Sequence, residues 1–356
     1  MTERLPPTPK PMPSTMRAAR FHEHGGPEVL RLDELPQPDP GPGEARVAVR
    51  AAGLNHLDLW VRRGLPIDTT LPHTGGSDIA GVVDAVGAEV SDEWVGERVV
   101  VNPSLWCGRC AGCGRGEHPL CRKYRIIGEH TDGGFAEYAV VPAEKLYRIP
   151  EPLSFEEASV LPVSYGTAWR ALIGRAAVRA GESVLVLGAS GGTAIAALQL
   201  AAHAGAEVFA VTSGPENVRR VRELGARRVY DRLEEDWSRG VYEDTAREGV
   251  DVVVENVGEA TWEGSLRALA RGGRLVTYGA TTGHRAGLDL RLLFWKQLRI
   301  IGSTMAARRE FEEMLRVMGS GAVRPVIDRV LPLEEVAAAH ERLESGAAFG
   351  SIVLTP

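Results

Sequence analysis

The four cysteines of the chain, Cys107, Cys110, Cys113 and Cys121, lie in a single stretch with the pattern C-x2-C-x2-C-x7-C. Thiolates this close together suit a closed tetrahedral zinc site. A shell of four sulfurs leaves no position for substrate, so the metal expected here is structural. The competing reading, disulfides, needs an oxidising compartment. The N-terminal run MTERLPPTPKPMPSTM has no apolar core of the kind a secretory signal carries, so a cytoplasmic protein is expected.

A second stretch with chemical potential is VLVLGASGGTAIAALQLA, in which an apolar strand runs into a glycine-rich turn and then a helix. Ala189-x-Gly191-x-x-Ala194 is a relaxed dinucleotide fingerprint. Its small residues permit a tight turn, close backbone approach to a pyrophosphate and close helix packing. Ser190, Gly191, Gly192 and Thr193 are the expected phosphate contacts. In an NAD site, an acidic residue closing the second strand binds the ribose 2′-hydroxyl. Here Val211-Thr212-Ser213-Gly214 supplies no carboxylate, Ser213 is able to donate a hydrogen bond, and Arg219 and Arg220 follow on the next helix. NADP(H) is the expected cofactor.

The elements that hold these residues fall into two styles. From Met16 to about Pro150 short β-like runs such as ARVAVRAAGL and IAGVVDAVG alternate with Gly and Pro. Beyond Pro150 strand-like runs at Ser183–Leu187, Glu207–Val211, Asp251–Glu255, Arg274–Tyr278 and Arg299–Ser303 are spaced by helix-length segments. That alternation builds a doubly wound parallel sheet. The last fifty residues predict a helix near Arg309–Met318, a strand near Val326–Val330, a helix near Leu333–Glu344 and a final strand in GSIVLTP. Five prolines between Pro6 and Pro13 read as a disordered or polyproline leader over residues 1–15.

The chain has 356 residues, 44% of them hydrophobic and 25% charged, which describes a folded protein of about two domains. A net charge of -6 disfavours general nucleic-acid binding. No apolar stretch of about 20 residues is present to span a membrane.

The cysteine lobe, the preceding GERVVVNP, the later GGFAEYAVVP, the LPVSYGTAW segment and the dinucleotide turn occur in the order found in the medium-chain dehydrogenase/reductase superfamily, which the chain resembles from Met16 to its end. The resemblance implies an α/β protein with a GroES-like β-rich catalytic domain over 16–153 and 305–356, carrying a zinc lobe at 102–125. It also implies an inserted Rossmann domain over 154–304, an active site between the two, and a homodimer formed along the edge strand Arg299–Ser303.

In the zinc alcohol dehydrogenases of this superfamily a catalytic metal is held by a Cys, a His-Glu pair and a further Cys or Asp. Alignment places Asn55, then Ser77 and Asp78, then Val163 at those positions, and Leu57 where a Ser or Thr would relay the alcohol proton. Asn55 and the Gly-Ser-Asp triplet resemble the zinc-independent quinone oxidoreductases instead. An alkoxide lies about six pKa units above a phenolate, so reduction of a quinone leaves roughly 8 kcal/mol less charge stabilisation to supply. By the same resemblance Asn55 lies near the nicotinamide ribose, and Thr167 and Gly279 near the nicotinamide. The catalytic candidates are Asn55, His56, Asp58, Asp78 and Tyr165, with His130 a further polar residue of the cleft. His56 or Tyr165 is the expected proton donor. The function expected is reduction of quinones or related activated carbonyls and enones, a small-molecule activity with one structural zinc. Two alternatives remain: a zinc alcohol dehydrogenase with ligands such as His56, Asp58 and Asp78, and a catalytically silent NADPH-binding protein.

Overall fold

The computed structural model describes residues 15–67 and 69–356, so the leader expected over 1–15 lies outside the described residues except for Thr15, which opens a strand. Strands Thr15–Phe21 and Leu30–Pro36 form an antiparallel pair that His73–Thr74 extends. The main sheet of this half is organised by the 11-residue strand Glu44–Leu54. One edge of it pairs with Asp78–Val86. The other is shared end to end, Tyr138–Pro142 taking Glu44–Ala48 and the C-terminal strand Ser351–Thr355 taking Ala52–Leu54. The end of the chain therefore completes the sheet begun at its start, and the segment between is an insertion.

That insertion is a six-stranded parallel sheet in the order Arg228–Asp231, Glu207–Thr212, Ser183–Val186, Val250–Glu255, Leu269–Thr277, Arg299–Gly302. Val184, Leu185 and Val186 are fully buried, as expected of a central strand covered by helices on both faces. The strand order reverses beside Ser183–Val186, and the crevice beyond the carboxyl ends at such a switch point is where ligands bind in this architecture. Sequence periodicity located five of the six strands. Arg228–Asp231 escaped because it is only four residues long with two charged ends, and its strand character comes from pairing with Glu207–Thr212.

Two further features position the cleft. The helical run from Phe155 to Arg175 has widened turns at Leu161–Tyr165 and Arg170–Arg175, as the Ala176 N–H donating five residues back to the Ala171 carbonyl shows. Within it the buried Arg170 guanidinium donates to Glu310 on helix Arg308–Gly319 at 2.8 Å and to Glu117 of the cysteine lobe at 2.6 Å. The lobe is thereby fastened to the core of the protein.

Candidate active site

A cleft of about 560 Å³ lies between the two halves. Its floor is the glycine turn. Gly191 caps helix Gly192–His203 without any side chain, and Gly191, Gly192 and Thr193 all line the cleft. The first N–H groups of a helix have no partner within it, so this end presents unpaired donors and a positive dipole end to an anion. The residues present fit a pyrophosphate. Ser190 is not at the cleft wall; its carbonyl accepts from the Gly350 N–H at 2.8 Å, a bond between the inserted sheet and the C-terminal segment.

From Thr193 a hydrogen-bonded chain crosses the cleft. The Thr193 hydroxyl donates to Ser164 Oγ at 3.3 Å, and Ser164 Oγ donates to Asn55 Oδ1 at 3.5 Å. Asn55 Nδ2 in turn donates to Asp78 Oδ2 at 2.9 Å, and the other Asp78 oxygen accepts from the Val163 N–H at 2.8 Å. Pro162 has no N–H and Val163 N is one of the helix-end donors, so Asp78 serves as its cap. Asn55 is also the N-cap of helix His56–Arg63, and Asp58 closes the box: its carboxylate accepts from the N–H groups of Asn55 at 2.8 Å and Gly76 at 3.0 Å.

These contacts correct the list of catalytic candidates. Asp58 and Asp78 are buried and absent from the cleft wall, and both act by fixing Asn55. Burial raises both carboxyls, Asp58 to about 7 and Asp78 well above the usual range. Tyr165 is also outside the cleft. Its hydroxyl donates to Gln199 Oε1 at 2.6 Å within the core, and burial pushes its pKa upward, so it has no path to substrate. Asn55, His56, Thr167 and Gly279 do line the cleft, as do Leu57 and Val163. Burial, then the Arg63 charge, lowers the His56 pKa, which leaves the ring neutral at pH 7. Missing from the sequence reading were Tyr124, Glu129 and, across the cleft, Asn256 and Tyr278. The GEH triplet at 128–130 held the signal for Glu129, but only its His was taken up.

Among the described residues one group of His, Cys, Asp or Glu side chains brings its ligand atoms together: Cys107, Cys110, Cys113 and Cys121, all within 4.8 Å of one another. A tetrahedron with Zn–S bonds of about 2.3 Å needs sulfurs about 3.8 Å apart, and Cys110 and Cys113 stand at 3.6 Å. Backbone N–H groups of Cys107 and Lys123 donate to Cys121 Sγ at 3.3 Å, and those of Cys113 and Arg122 pull the Cys110 thiol down to about 6. The set fits a structural zinc. His56, Asp58 and Asp78 make no comparable cluster.

At the adenosine end, Arg219 is engaged by Glu216 at 2.7 Å and Glu223 at 2.6 Å, and Arg220 lies 3.7 Å over the Phe349 ring. Neither is poised for a 2′-phosphate. The strand missed in the sequence adds Asp231 beside Ser213, with its carboxylate bound by the N–H groups of Gly214 at 3.1 Å and Leu233 at 3.0 Å. Arg232 follows, its N–H held by the Thr212 carbonyl at 3.0 Å.

Fold and cleft together define a two-domain nucleotide-dependent oxidoreductase. The alcohol dehydrogenase GroES-like domain family matches residues 41–151, and the zinc-binding dehydrogenase family matches 192–320. A quinone oxidoreductase of Pongo abelii is 33% identical over 95% of this chain and 97% of its own length. The crystal structure of an NAD-dependent alcohol dehydrogenase is 43% identical with a TM-score of 0.92, covering 96% of this chain and 99% of that one. The crotonyl-CoA carboxylase/reductase AntE in complex with NADP is 30% identical with a TM-score of 0.89, over 99% and 97% of the two chains. The chain belongs to the medium-chain dehydrogenase/reductase superfamily, an oxidoreductase family that binds NAD(P)(H).

Proposed function

We propose that the protein reduces quinones, or related enones and activated carbonyls, with NADPH and without a catalytic metal, and that it carries one structural zinc on its four cysteines. The observation that carries this reading is the hydrogen-bonded set Asn55, Asp78 and Val163, standing where an alcohol dehydrogenase needs ligands and already mutually satisfied. NADPH supplies the hydride. The protein supplies a floor of helix-end N–H groups for the pyrophosphate, a fixed Asn55 amide and a cleft walled by Leu57, Ile126, Val163 and Met305. Such a wall keeps water away and strengthens each hydrogen bond made to a developing oxyanion.

The test is NADPH oxidation against a panel of quinones, enones and aldehydes, before and after brief chelation that leaves the buried cysteine site loaded. Quinone turnover should be unaffected by chelation, and simple alcohols should be poor substrates with NADP. Efficient alcohol oxidation that chelation abolishes and zinc restores would reverse the assignment. No turnover with any compound would leave a nucleotide-binding protein.

Preference for NADPH is supported by the absence of an acid at Thr212 and Ser213, the neighbouring Asp231 carboxylate being already engaged by the N–H groups of Gly214 and Leu233, and by Arg232, whose backbone is tied to this turn through the Thr212 carbonyl. Ser213→Asp should shift the ratio of NADPH to NADH affinity toward NADH by about tenfold, because two like charges there cost about 1.4 kcal/mol or more. Equal affinities in the parent protein count against the reading.

The dimer proposal gains a physical reason. Helix Leu290–Lys296 has no buried residue, and its Phe294 and Trp295 are each 66% exposed beside the edge strand Arg299–Gly302. Pairing two edges about a two-fold axis would cover both the open strand and this patch. Light scattering at micromolar concentration should give the dimer mass, and Phe294→Asp should give the monomer. The reducing cytoplasm suits the four thiols as metal ligands.

A further inference from the structure

Glu129 is 8% exposed, lines the cleft, and its carboxyl has no hydrogen-bond partner among the described residues. The ring of His130 lies close by, with Nδ1 at 3.9 Å from Oε2, and that nitrogen already accepts from the Ile126 N–H at 3.2 Å. A buried carboxyl without donors is expensive to ionise. Its position is built deliberately. Gly128, in the left-handed conformation at φ +82°, lets the chain pass so close to the Gly76–Ser77 backbone that a Cβ would lie 2.6 Å from it, and this turn delivers Glu129 to the wall. Tyr124 beside it is committed to Ser104 Oγ at 2.7 Å, which leaves Glu129 as the uncommitted acid of this wall.

On the reductase reading above, we propose that the Glu129 carboxyl, in its acid form, donates a hydrogen bond to the substrate carbonyl oxygen and then the proton that completes reduction. The substrate carbon gains a hydride from the reduced nicotinamide, which is oxidised by two electrons. The displaced π pair moves to oxygen, the Glu129 O–H bond breaks, and the new O–H bond of the product forms. Glu129 is left as carboxylate and recovers a proton from water in the open cleft. It is thus a catalytic residue, and it takes the role expected of His56 or Tyr165.

Burial, then the Asp58 charge, pushes Glu129 up to about 7. The other titratable groups around it are His56, His130, His73 and Tyr124. Burial lowers the three imidazoles below their ordinary value and raises the phenol; any positive charge an imidazole still carries at pH 6 is lost as pH rises, and the Glu129→Gln variant separates that contribution from the one made by Glu129. As pH rises through 7, Glu129 loses its donor and becomes an anion facing the carbonyl. Affinity should therefore fall with rising pH.

The experiment uses 1,4-naphthoquinone binding to the protein loaded with oxidised cofactor, read by quenching of tryptophan fluorescence, since Trp60 lines the cleft. The dissociation constant of the wild type should rise about tenfold between pH 6 and pH 8. Glu129→Gln, which keeps a neutral donor, should bind as the wild type does at pH 6 and show no pH dependence, while its kcat with NADPH falls about a hundredfold and KM changes little. Asp58 and the three imidazoles are still present in that variant, so a slope that survives there belongs to one of them and overturns the proposal. A pH-independent wild type, absence of naphthoquinone binding, or a variant kcat within threefold of the wild type overturns it equally. If the binding results are as expected but no compound of the panel is reduced, the hydrogen bond stands, and proton transfer falls together with the reductase reading.

Discussion

Cys110→Ser is expected to lose the zinc, about one ion per chain in the parent, and to lower the unfolding temperature substantially. Structural zinc sites in small domains bind with apparent free energies of about 10–16 kcal/mol, and that binding is what folds them. The lobe has little else to hold it, being a run of turns and short helical segments in which Cys113 and Cys121 are themselves among the few buried residues. Its outside attachments include the Arg170 bridge to Glu117 and the Arg308 N–H donating to His118 Nδ1 at 3.2 Å. Activity should fall as well, because Tyr124, Ile126 and Glu129 of the cleft wall begin three residues after Cys121. Metal analysis, thermal unfolding and the rate of NADPH oxidation measure the three effects. A parent protein that contains no zinc, or a variant that melts with it, defeats the expectation.

Asp78→Ala should be nearly as damaging. It strands two donors, the buried Val163 N–H and the half-buried Asn55 Nδ2, and an unsatisfied buried donor costs about 1–3 kcal/mol. Asn55 also loses the bond that orients its amide, so nucleotide affinity and turnover should drop beyond the loss of folded protein. Asp78→Asn retains one acceptor oxygen and the shape of the site, and its cost should be less than half as large. Denaturant unfolding gives the stability difference between the two variants, and nucleotide titration of the folded fraction gives the functional one. Equal effects of the two substitutions would defeat this expectation, since they would mean that the retained shape and single acceptor of Asp78→Asn contribute nothing.

What the sequence disclosed depended on how local each signal was. The glycine turn, the cysteine spacing and most of the parallel strands are written in contiguous residues, and their periods and punctuation are readable directly. Asp58 and Asp78 stand among the expected catalytic groups, and their exclusion from the cleft depends on Gly76, Asn55 and Val163 meeting across three separate elements. Tyr165 lies two positions before Thr167, which does face the cleft, and residues two apart on a helix stand about 200° apart around its axis; the spacing says that only one of them faces the cleft, not which. Arg219 failed for another reason: Glu216 and Glu223 lie three and four positions away, so its partners were visible on the same helix.

The bond from the Gly350 N–H to the Ser190 carbonyl has a mechanical consequence. It stitches the glycine turn of the inserted sheet to the strand that ends the other half, and a single backbone bridge also joins Gly191 to Gly350. Any breathing of the two halves that keeps this stitch intact is a rotation about it, like a book opening from its spine. The pyrophosphate floor, which lies at this stitch, then changes width least, and parts of the cleft farther from it open more. A nucleotide would be gripped first by its phosphates, with the reactive end of the cleft still open to admit or release the smaller molecule.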